Sequence, residues 1–291
     1  MKILLTGSSG FIGCNLKMKL LAEGYEIFEV NRENGFDLSN RNWTKSIPNK
    51  SFDYVIHLAQ SNQYRDFPKG AVDMVQINIE ATSELLEWSR NNGIECFFYA
   101  STGNVYEQKP SPLTENDRTL PNSFYGTTKL CAENLIIQYQ RYFNTKIMRL
   151  FGVYGPGQKT NRLIPFVIKN CIQKKKFDCS HGLQSRDFIY IDDLTNAIKI
   201  ILSTNKKIDG KIFNIGFGRS IKLKNVINSL TKKLGGGLPL FGKLKMRKDE
   251  TLNSFPKIDL IKSLGWSPKV NFEKGLNKTI FYYKTKYKTL L

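Results

Sequence analysis

The chain has 291 residues, of which 41% are hydrophobic and 24% charged, which suffices for the core of one large domain or two small ones. Its 44 Lys and Arg against 25 Asp and Glu give a formal net charge of +19. No apolar run approaches the roughly 18 residues that span a bilayer, and the N-terminus lacks the charged, apolar and small-residue order of a signal peptide.

The positive charge raises the question of a nucleic-acid partner. The lysines are spread along the chain with one tight run at 174–176, which indicates compositional bias more than a binding patch. A positive field also favours an anionic small substrate. We therefore expect neither nucleic acid nor a membrane as partner.

The chain has five cysteines, an odd number, and none of them are in CxxC spacing. They are Cys14, Cys96, Cys131, Cys171 and Cys179. Their apolar or helical surroundings predict reduced, buried thiols in a cytoplasmic protein, with neither a disulfide nor a metal site.

The first thirty residues are predicted to form a strand, a glycine turn, a helix and a second strand. Ile3–Leu5 is an apolar run typical of a strand buried on both faces. Phe11, Leu16 and Leu20 recur at helical spacing, and Gly24 ends the helix.

Further strands are predicted in "FDYVIHLA", "IECFFYAS" and "TKIMRLF", with helices near 71–90 and 124–143 between them. This alternation predicts an α/β fold with a doubly wound parallel sheet.

From about residue 156 the alternation is less regular. The segments "LIPFVIKNCIQKK", "IKLKNVINSLTKKL" and "FEKGLNKTIFYYK" predict helices, "RDFIYIDDLTNAIKIIL" a strand, turn and helix, and "GKIFNIG" a strand. We interpret residues 1–155 as a dinucleotide-binding domain. Residues 156–291 are interpreted as a smaller C-terminal α/β lobe for the substrate, with elements that return to the main sheet.

Three glycines lie between the first strand and its helix in "TGSSGFIG": Gly7, Gly10 and Gly13. Glycines there let the backbone approach a pyrophosphate, while the helix N-terminus supplies N–H donors. A glycine turn without a ligand is the alternative.

The second strand ends where dinucleotide folds select their ribose. An acid at this place binds a free 2′-hydroxyl group, whereas an arginine suits a 2′-phosphate. Asn31 followed by Arg32 favours NADP over NAD, and Glu33 keeps NAD open.

Tyr125 and Lys129 in "YGTTK" are four residues apart and share one face of the predicted helix. The lysine charge is expected to lower the tyrosine pKa so that the phenol can move a proton. Packing on a helix is the alternative interpretation.

Eight motifs follow one another along the chain: "TGSSGFIG", "FDLSN", "HLAQ", "YASTGNVYE", "YGTTK", "RLFGVYGPGQ", "SRDFIYIDDL" and "FNIGFG". In this the chain resembles the extended short-chain dehydrogenases/reductases acting on nucleotide sugars, the NAD-dependent epimerase/dehydratase family. The resemblance covers nearly the whole chain. It implies a Rossmann-type fold and a homodimer that pairs the Tyr125 helix, on which Leu130 and Ile137 are candidates for the outer face.

The resemblance also implies roles for single residues. Thr102 would hydrogen-bond the reacting oxygen beside Tyr125 and Lys129, and Asp37 would bind adenine, although a turn-capping aspartate is the alternative. Arg186 would hold the nucleotide diphosphate unless it only pairs with Asp187. The remaining candidates for substrate binding are Asn104, Arg162 and Arg247, and those for cofactor binding, besides the residues already named, are Ser9, Phe11, Ile12, Leu38, Leu58 and Ala59.

The residues after Thr102 reduce the number of reactions that the resemblance allows. The family's 4,6-dehydratases carry an Asp–Glu pair where this chain has Gly103 and Asn104, and reductases that epimerise at C3 and C5 carry a cysteine at the second place. Two reactions stay open: reduction of an NDP-4-keto-(6-deoxy)sugar at C4, and 4-epimerisation of an NDP-sugar with NAD.

Reduction is favoured by Arg32, by the short chain and by Gly152, where galactose-type epimerases carry an asparagine. A catalytically silent scaffold is a remote alternative, since such relatives typically lose the tyrosine or the lysine.

Overall fold

The computed structural model describes residues 1–203, 210–247 and 249–288. The helices are α1 (Phe11–Ala22), α2 (Ala71–Val75), α3 (Ala81–Asn91), α4 (Phe124–Gln138), α5 (Leu163–Ile172), α6 (Ile191–Ser203), α7 (Leu223–Leu234), α8 (Asp259–Lys262) and α9 (Phe272–Lys288). The strands are β1 (Lys2–Thr6), β2 (Glu26–Val30), β3 (Tyr54–His57), β4 (Cys96–Thr102), β5 (Asn144–Leu150), β6 (Val153–Tyr154), β7 (Lys176–Cys179), β8 (Ser185–Asp187), β9 (Ile189–Tyr190), β10 (Lys211–Ile215), β11 (Ser220–Lys222), β12 (Leu238–Phe241) and β13 (Asn253–Ser254). One π turn, Gln76–Glu80, joins α2 to α3.

Six of the described strands form a parallel sheet in the order β10-β5-β4-β3-β1-β2. Every residue of β4 is buried, as expected for a strand at the centre of a sheet covered on both faces. The predicted doubly wound parallel sheet is confirmed, and the carboxyl ends of its strands meet at one edge, where open α/β sheets bind ligands.

Alternate side chains of the strands supply two separate apolar cores. Leu4 and Phe97 belong to the core that α3 and α4 cover, whereas Ile3, Leu5 and Phe98 belong to the core that α1 and α6 cover. The period of two along each strand thus produces a three-layer arrangement.

The C-terminal half contributes to the main sheet and builds small sheets of its own. Strand β10 pairs with β5 at the sheet edge, Lys211 opposite Lys146. Among the described residues the small sheets are β11-β8-β13, β12-β7 and β6-β9.

Some local predictions were wrong. The helix predicted over 124–143 ends at Gln138 and continues only as a 3-10 turn, Tyr139–Arg141. Ile221 and Lys222, predicted as the start of a helix, belong to strand β11, because this segment pairs with β8. The cysteines were predicted to be buried, but Cys14 is exposed, since its helix position faces away from the sheet.

Within the described ranges, no helix is both long enough and apolar enough to cross a membrane.

Candidate active site

The glycine turn after β1 has no room for a side chain at two of its glycines. Gly7 has a φ of +70°, and a Cβ there would lie 2.8 Å from the Ala59 nitrogen. A Cβ on Gly13 would lie 2.2 Å from the Gly7 carbonyl oxygen. Helix α1 starts after Gly10 without a side-chain cap, so that its first N–H groups can serve a ligand. This cradle fits a dinucleotide pyrophosphate, with Ser9, Phe11 and Ile12 around the helix start.

The end of β2 places the predicted ribose-selecting residues beside this cradle. Asn31 is buried, and its amide donates to the Ser8 hydroxyl at 2.7 Å and accepts from the Asn34 backbone N–H at 3.0 Å. Arg32 is mostly exposed, with its guanidinium 3.6 Å from an Asp37 oxygen. The turn therefore presents the Arg32 guanidinium at its surface, with the exposed Glu33 next to it and the Asp37 carboxylate beside it.

Asp37 makes the contact expected of a turn-capping aspartate. Its carboxylate accepts from the Ser39 N–H at 3.0 Å and from the Ser39 hydroxyl at 2.8 Å. The hydrogen bonds from Ser39, with a smaller effect of Arg32, hold the pKa of Asp37 below its usual range. Leu38 beside it is buried in the core under β1–β3. At the neighbouring strand end, Leu58 and Ala59 pack against Gly7.

The predicted catalytic residues converge at the carboxyl end of β4. Thr102 is the last residue of that strand, and Ser123 caps α4 by accepting the Gly126 N–H at 3.1 Å. Tyr125 lies in the first turn of α4, and its hydroxyl donates to Gln60 Oε1 at 2.8 Å. Lys129, one turn further, is 1% exposed.

Burial controls the charge of both groups. It raises the pKa of Tyr125 above its usual 10, against a smaller lowering by the hydrogen bond with Thr102. It lowers the pKa of Lys129 to about 7, against the opposing charge of Glu133. The expectation that Lys129 lowers the Tyr125 pKa is therefore wrong for this structure: the Lys129 ammonium lies 4.1 Å from the centroid of the Tyr99 ring, and desolvation dominates at Tyr125. Near neutral pH the phenol keeps its proton.

A buried ion pair lies one turn after Lys129 on α4. Glu133, one turn further along α4, pairs with Arg149 of β5 at 2.6 Å, and both are at least 96% shielded from solvent. Glu133 also accepts a hydrogen bond from Ser101, the neighbour of Thr102. This carboxylate thus ties the helix that carries Tyr125 to the strand that carries Thr102.

The candidate diphosphate residues gather around one carboxylate. Arg186 reaches Glu250 at 2.5 Å, and Arg247 reaches the same Glu250 at 3.0 Å. The alternative pairing of Arg186 with Asp187 is wrong, because the Asp187 carboxylate accepts the backbone N–H groups of residues 217–219. Arg65 belongs to this cluster, since the nearby charge of Arg247 adds to burial in lowering its pKa.

Tyr64 connects the arginines to Tyr125. Its ring centroid lies 5.2 Å from that of Tyr125. The Arg162 guanidinium carbon lies 4.6 Å from the Tyr64 centroid and that of Arg65 lies 5.5 Å away. Arg162 has no carboxylate partner in the part of the chain that the structure describes. The structure therefore brings Arg162, Arg186 and Arg247 to the side of the site where Tyr125 is.

Sequence reasoning missed Gln60, Tyr64, Arg65 and Glu250. The first three follow the carboxyl end of β3 in "QSNQYR". Their place after a parallel strand was the available signal, because loops at that edge face the ligand site.

The turn after Thr102 accepts no larger residues. A Cβ on Gly103 would lie 2.6 Å from the Phe151 ring, and Asn104 donates its backbone N–H to the Thr102 hydroxyl at 3.2 Å. A Cβ on Gly152 would lie 2.1 Å from the Asp187 carbonyl oxygen. The backbone thus has no room for a dehydratase-type carboxylate at 103 or an asparagine at 152.

His57 is a packed residue, as its strand-end position indicates. Its ring nitrogens lie 2.6 Å from the Thr6 hydroxyl and 2.9 Å from the Thr82 hydroxyl. Burial lowers the pKa of His57 to about 3, so that it stays neutral. Among residues 1–203, 210–247 and 249–288, no group of three His, Cys, Asp or Glu side chains could hold a metal ion.

Fold and site together define a dinucleotide-dependent enzyme class with a Thr–Tyr–Lys set. A model of the NAD dependent epimerase/dehydratase family matches residues 3–216. The chain belongs to this family, whose members here are nucleotide-sugar enzymes of the extended short-chain dehydrogenase/reductase type.

Comparison with known proteins agrees along the whole chain. The "Uncharacterized UDP-glucose epimerase YtcB" of Bacillus subtilis (strain 168) is 31% identical over 319 residues, covering 99% of both chains. "CDP-abequose synthase" of Salmonella muenchen is 27% identical, covering 96% of this chain and 97% of the other. The crystal structure of UDP-glucuronic acid 4-epimerase from Bacillus cereus, in complex with UDP-glucuronic acid and NAD, superposes with a TM-score of 0.90 at 29% identity, covering 99% and 100%.

Proposed function

We propose that the protein reduces an NDP-4-keto-(6-deoxy)sugar at C4, with NADPH as the preferred cofactor, in the cytoplasm. The arrangement that carries this proposal is Tyr125 between Thr102 and the arginine cluster, beside the glycine cradle. Such a site holds a cofactor on one side and a diphosphate on the other, so that a sugar between them reaches the phenol.

The bound nicotinamide would supply hydride to the sugar carbon. Thr102 would bind the carbonyl oxygen, and Tyr125 would protonate it as it becomes an alkoxide. At neutral pH the Tyr125 phenol carries its proton, which it can give to the alkoxide, as reduction needs. Lys129, when charged, would help to hold the cofactor beside Tyr125.

The arginine cluster supports a diphosphate handle. Planar guanidinium groups bind paired phosphate oxygens through two parallel hydrogen bonds. Arg186 and Arg247 would exchange Glu250 for phosphate oxygens, while Arg162 is available without losing a carboxylate.

NADPH preference rests on the end of β2. The buried Asn31 amide is committed to Ser8 and Asn34, and the nearby cation is Arg32. A 2′-phosphate at this place would meet the Arg32 guanidinium.

The first test is the Tyr125→Phe variant, assayed by NAD(P)H absorbance with 4-keto-6-deoxysugars bearing each nucleotide base. We expect the turnover number to fall about 100-fold to 10,000-fold because the general acid is lost. Fluorescence titration should show unchanged cofactor binding. Tyr282→Phe, a substitution of a partly buried tyrosine on α9, is the matched control, and turnover by Tyr125→Phe equal to this control would contradict the proposal.

A 4-epimerase that uses NAD is the second candidate, because relatives such as the Bacillus cereus enzyme are 4-epimerases. The same assay separates the two reactions. Stoichiometric NADPH oxidation by one 4-keto sugar supports reduction. Interconversion of C4-hydroxyl sugars without net oxidation, by protein carrying tightly held NAD, supports epimerisation.

Replacing Arg32 by alanine tests the cofactor proposal. The Michaelis constant for NADPH should rise about tenfold or more, because a charged hydrogen bond is lost, while that for NADH stays the same. Arg41→Ala, which removes another exposed arginine, is the control. An equal rise for both cofactors would contradict a role in binding the 2′-phosphate.

A homodimer is proposed through α3 and α4. Ile137 on α4 is 38% exposed, and a nearby groove is lined by Ile79, Trp88 and Leu135. Leu130, the other candidate, instead packs against an internal cluster that includes Phe151, which removes it from the proposed interface.

A further inference from the structure

The net charge of the protein belongs entirely to its C-terminal half. Residues 1–155 contain 16 Lys and Arg and 16 Asp and Glu, whereas residues 156–291 contain 28 and 9. Compositional bias would raise the lysine content of both halves without separating the charges. The three candidate substrate arginines explain only a small part of the difference. A compositional bias spread evenly along the chain, as the sequence analysis expected, therefore does not explain this distribution of charge.

Contacts join several of these lysines into one surface on the lobe. The turn after α5 lies beside the residues that follow α7: a Cβ on Gly236 would lie 3.5 Å from Lys174 Cγ, and the Leu238 N–H donates to the Lys175 carbonyl at 3.0 Å. From the last turn of α7, Lys233 reaches Glu273 at the start of α9 at 2.7 Å. We name this surface the lysine face, formed by the exposed side chains of Lys174, Lys175, Lys232, Lys274 and Lys278.

Two acids beside the lysine face have lysine partners. Glu273 pairs with Lys233, and Asp192 lies 3.5 Å from the Lys278 ammonium. Of the five lysines of the face, only Lys278 thus has a carboxylate partner among the described residues, so that most of the charge of the face is not compensated by an ion pair.

An exposed aromatic ring lies at the end of this face. Phe281 is 74% exposed, and its position on α9 puts it on the same side as Lys274 and Lys278, seven and three residues before it. An exposed phenylalanine can enter the boundary between headgroups and acyl chains while neighbouring lysines meet anionic headgroups.

We propose that the lysine face and Phe281 bind the surface of an anionic phospholipid bilayer. Lysine ammonium groups are point charges that suit the diffuse field of headgroups, and the ring would enter the boundary of the acyl chains. Nucleic-acid recognition favours the arginine fork, and no arginine belongs to this face. Such peripheral binding is compatible with the absence of a spanning helix in the described ranges. It departs from the sequence-based expectation of no membrane partner, and it is independent of the reaction in the active site.

The test is sedimentation of the full chain with vesicles of phosphatidylcholine alone or mixed equally with phosphatidylglycerol, at physiological salt. The variant Lys174→Glu/Lys175→Glu/Lys232→Glu/Lys274→Glu reverses four charges on the face. The control Arg41→Glu/Lys45→Glu/Lys50→Glu/Lys69→Glu reverses four exposed charges in the other half and has the same net charge. Phe281→Ala removes the ring at constant charge. Thermal unfolding and cofactor titration confirm that each variant is folded.

We expect the wild-type chain and the control to bind only the anionic vesicles, and the face variant to lose about tenfold or more of that binding. Phe281→Ala should bind more weakly than wild type. Equal losses in the face variant and the control would overturn the proposal, since only total charge would then matter. Absence of wild-type binding to anionic vesicles would overturn it too, and binding to double-stranded DNA instead would assign the face to nucleic acid.

Discussion

At the scale of single residues, the burial of Lys129 in the candidate active site lowers the stability of the folded chain. Its pKa in the folded chain, about 7, is below the ordinary 10.5. Between these two values the unfolded chain binds more protons than the folded one, so that Lys129 makes the free energy of unfolding rise with pH across that window. A buried amine that prefers to lose its proton is kept at a place where an apolar side chain would pack at less cost.

Glu133 is expected to keep Lys129 charged, because it is the opposing charge next to it on α4. In Glu133→Gln the pKa of Lys129 should fall below about 7, moving the alkaline limb of kcat to lower pH by about one unit or more. The pH profile of kcat measures this shift.

Glu107→Gln, which breaks the exposed pair with Arg118, is the control for Glu133→Gln and should leave the profile unchanged. An unmoved alkaline limb in Glu133→Gln would mean that the buried ion pair is structural only. Thermal unfolding in the same variants separates loss of stability from the change in pH profile, since an uncompensated Arg149 is expected to lower the melting temperature.

At the scale of elements, the turn between β1 and α1 has no alternative to glycine at Gly13. Because a Cβ there would meet the Gly7 carbonyl oxygen at 2.2 Å, Gly13→Ala must move the turn or the helix. We expect a loss of about 1–3 kcal/mol in the free energy of unfolding and loss of cofactor binding, measured by urea unfolding and by fluorescence titration.

Gly24→Asn is the control for Gly13→Ala, because Gly24 ends α1 in a left-handed conformation that asparagine tolerates, with nothing near its Cβ position. Normal cofactor affinity in Gly13→Ala would show that the turn is not the pyrophosphate site.

The elements that sequence predicts well are those with a strong local signal. The glycine turn, the strands of the main sheet and the placement of Tyr125 and Lys129 on one helix follow from hydrophobic period and turn chemistry. Strand β11 could not be found this way, because the polar segment Ser220–Lys222 becomes a strand only through its pairing with β8. Glu250 was missed for the same reason: a tertiary contact between loops far apart in sequence leaves no periodic pattern.

At the scale of the whole molecule, the proposed dimer has a direct test. Ile137→Glu puts a charge into the α3–α4 face, so the mass measured by light scattering after size-exclusion chromatography should fall from dimer to monomer. Gln138→Glu adds the same charge at the next exposed position and should remain dimeric. A monomeric wild-type chain would contradict the dimer proposal.

The pairing of β10 with β5 also has a consequence for synthesis. Lys211 lies opposite Lys146, so the edge of the main sheet is completed by a strand that is synthesised 65 residues later. During translation, β5 emerges with unpaired N–H and C=O groups, and closing so long a loop is slow. The main sheet is therefore finished only after much of the C-terminal half has been made. A ribosome that stalls between the two halves would release a chain with an open edge strand, which is prone to aggregation.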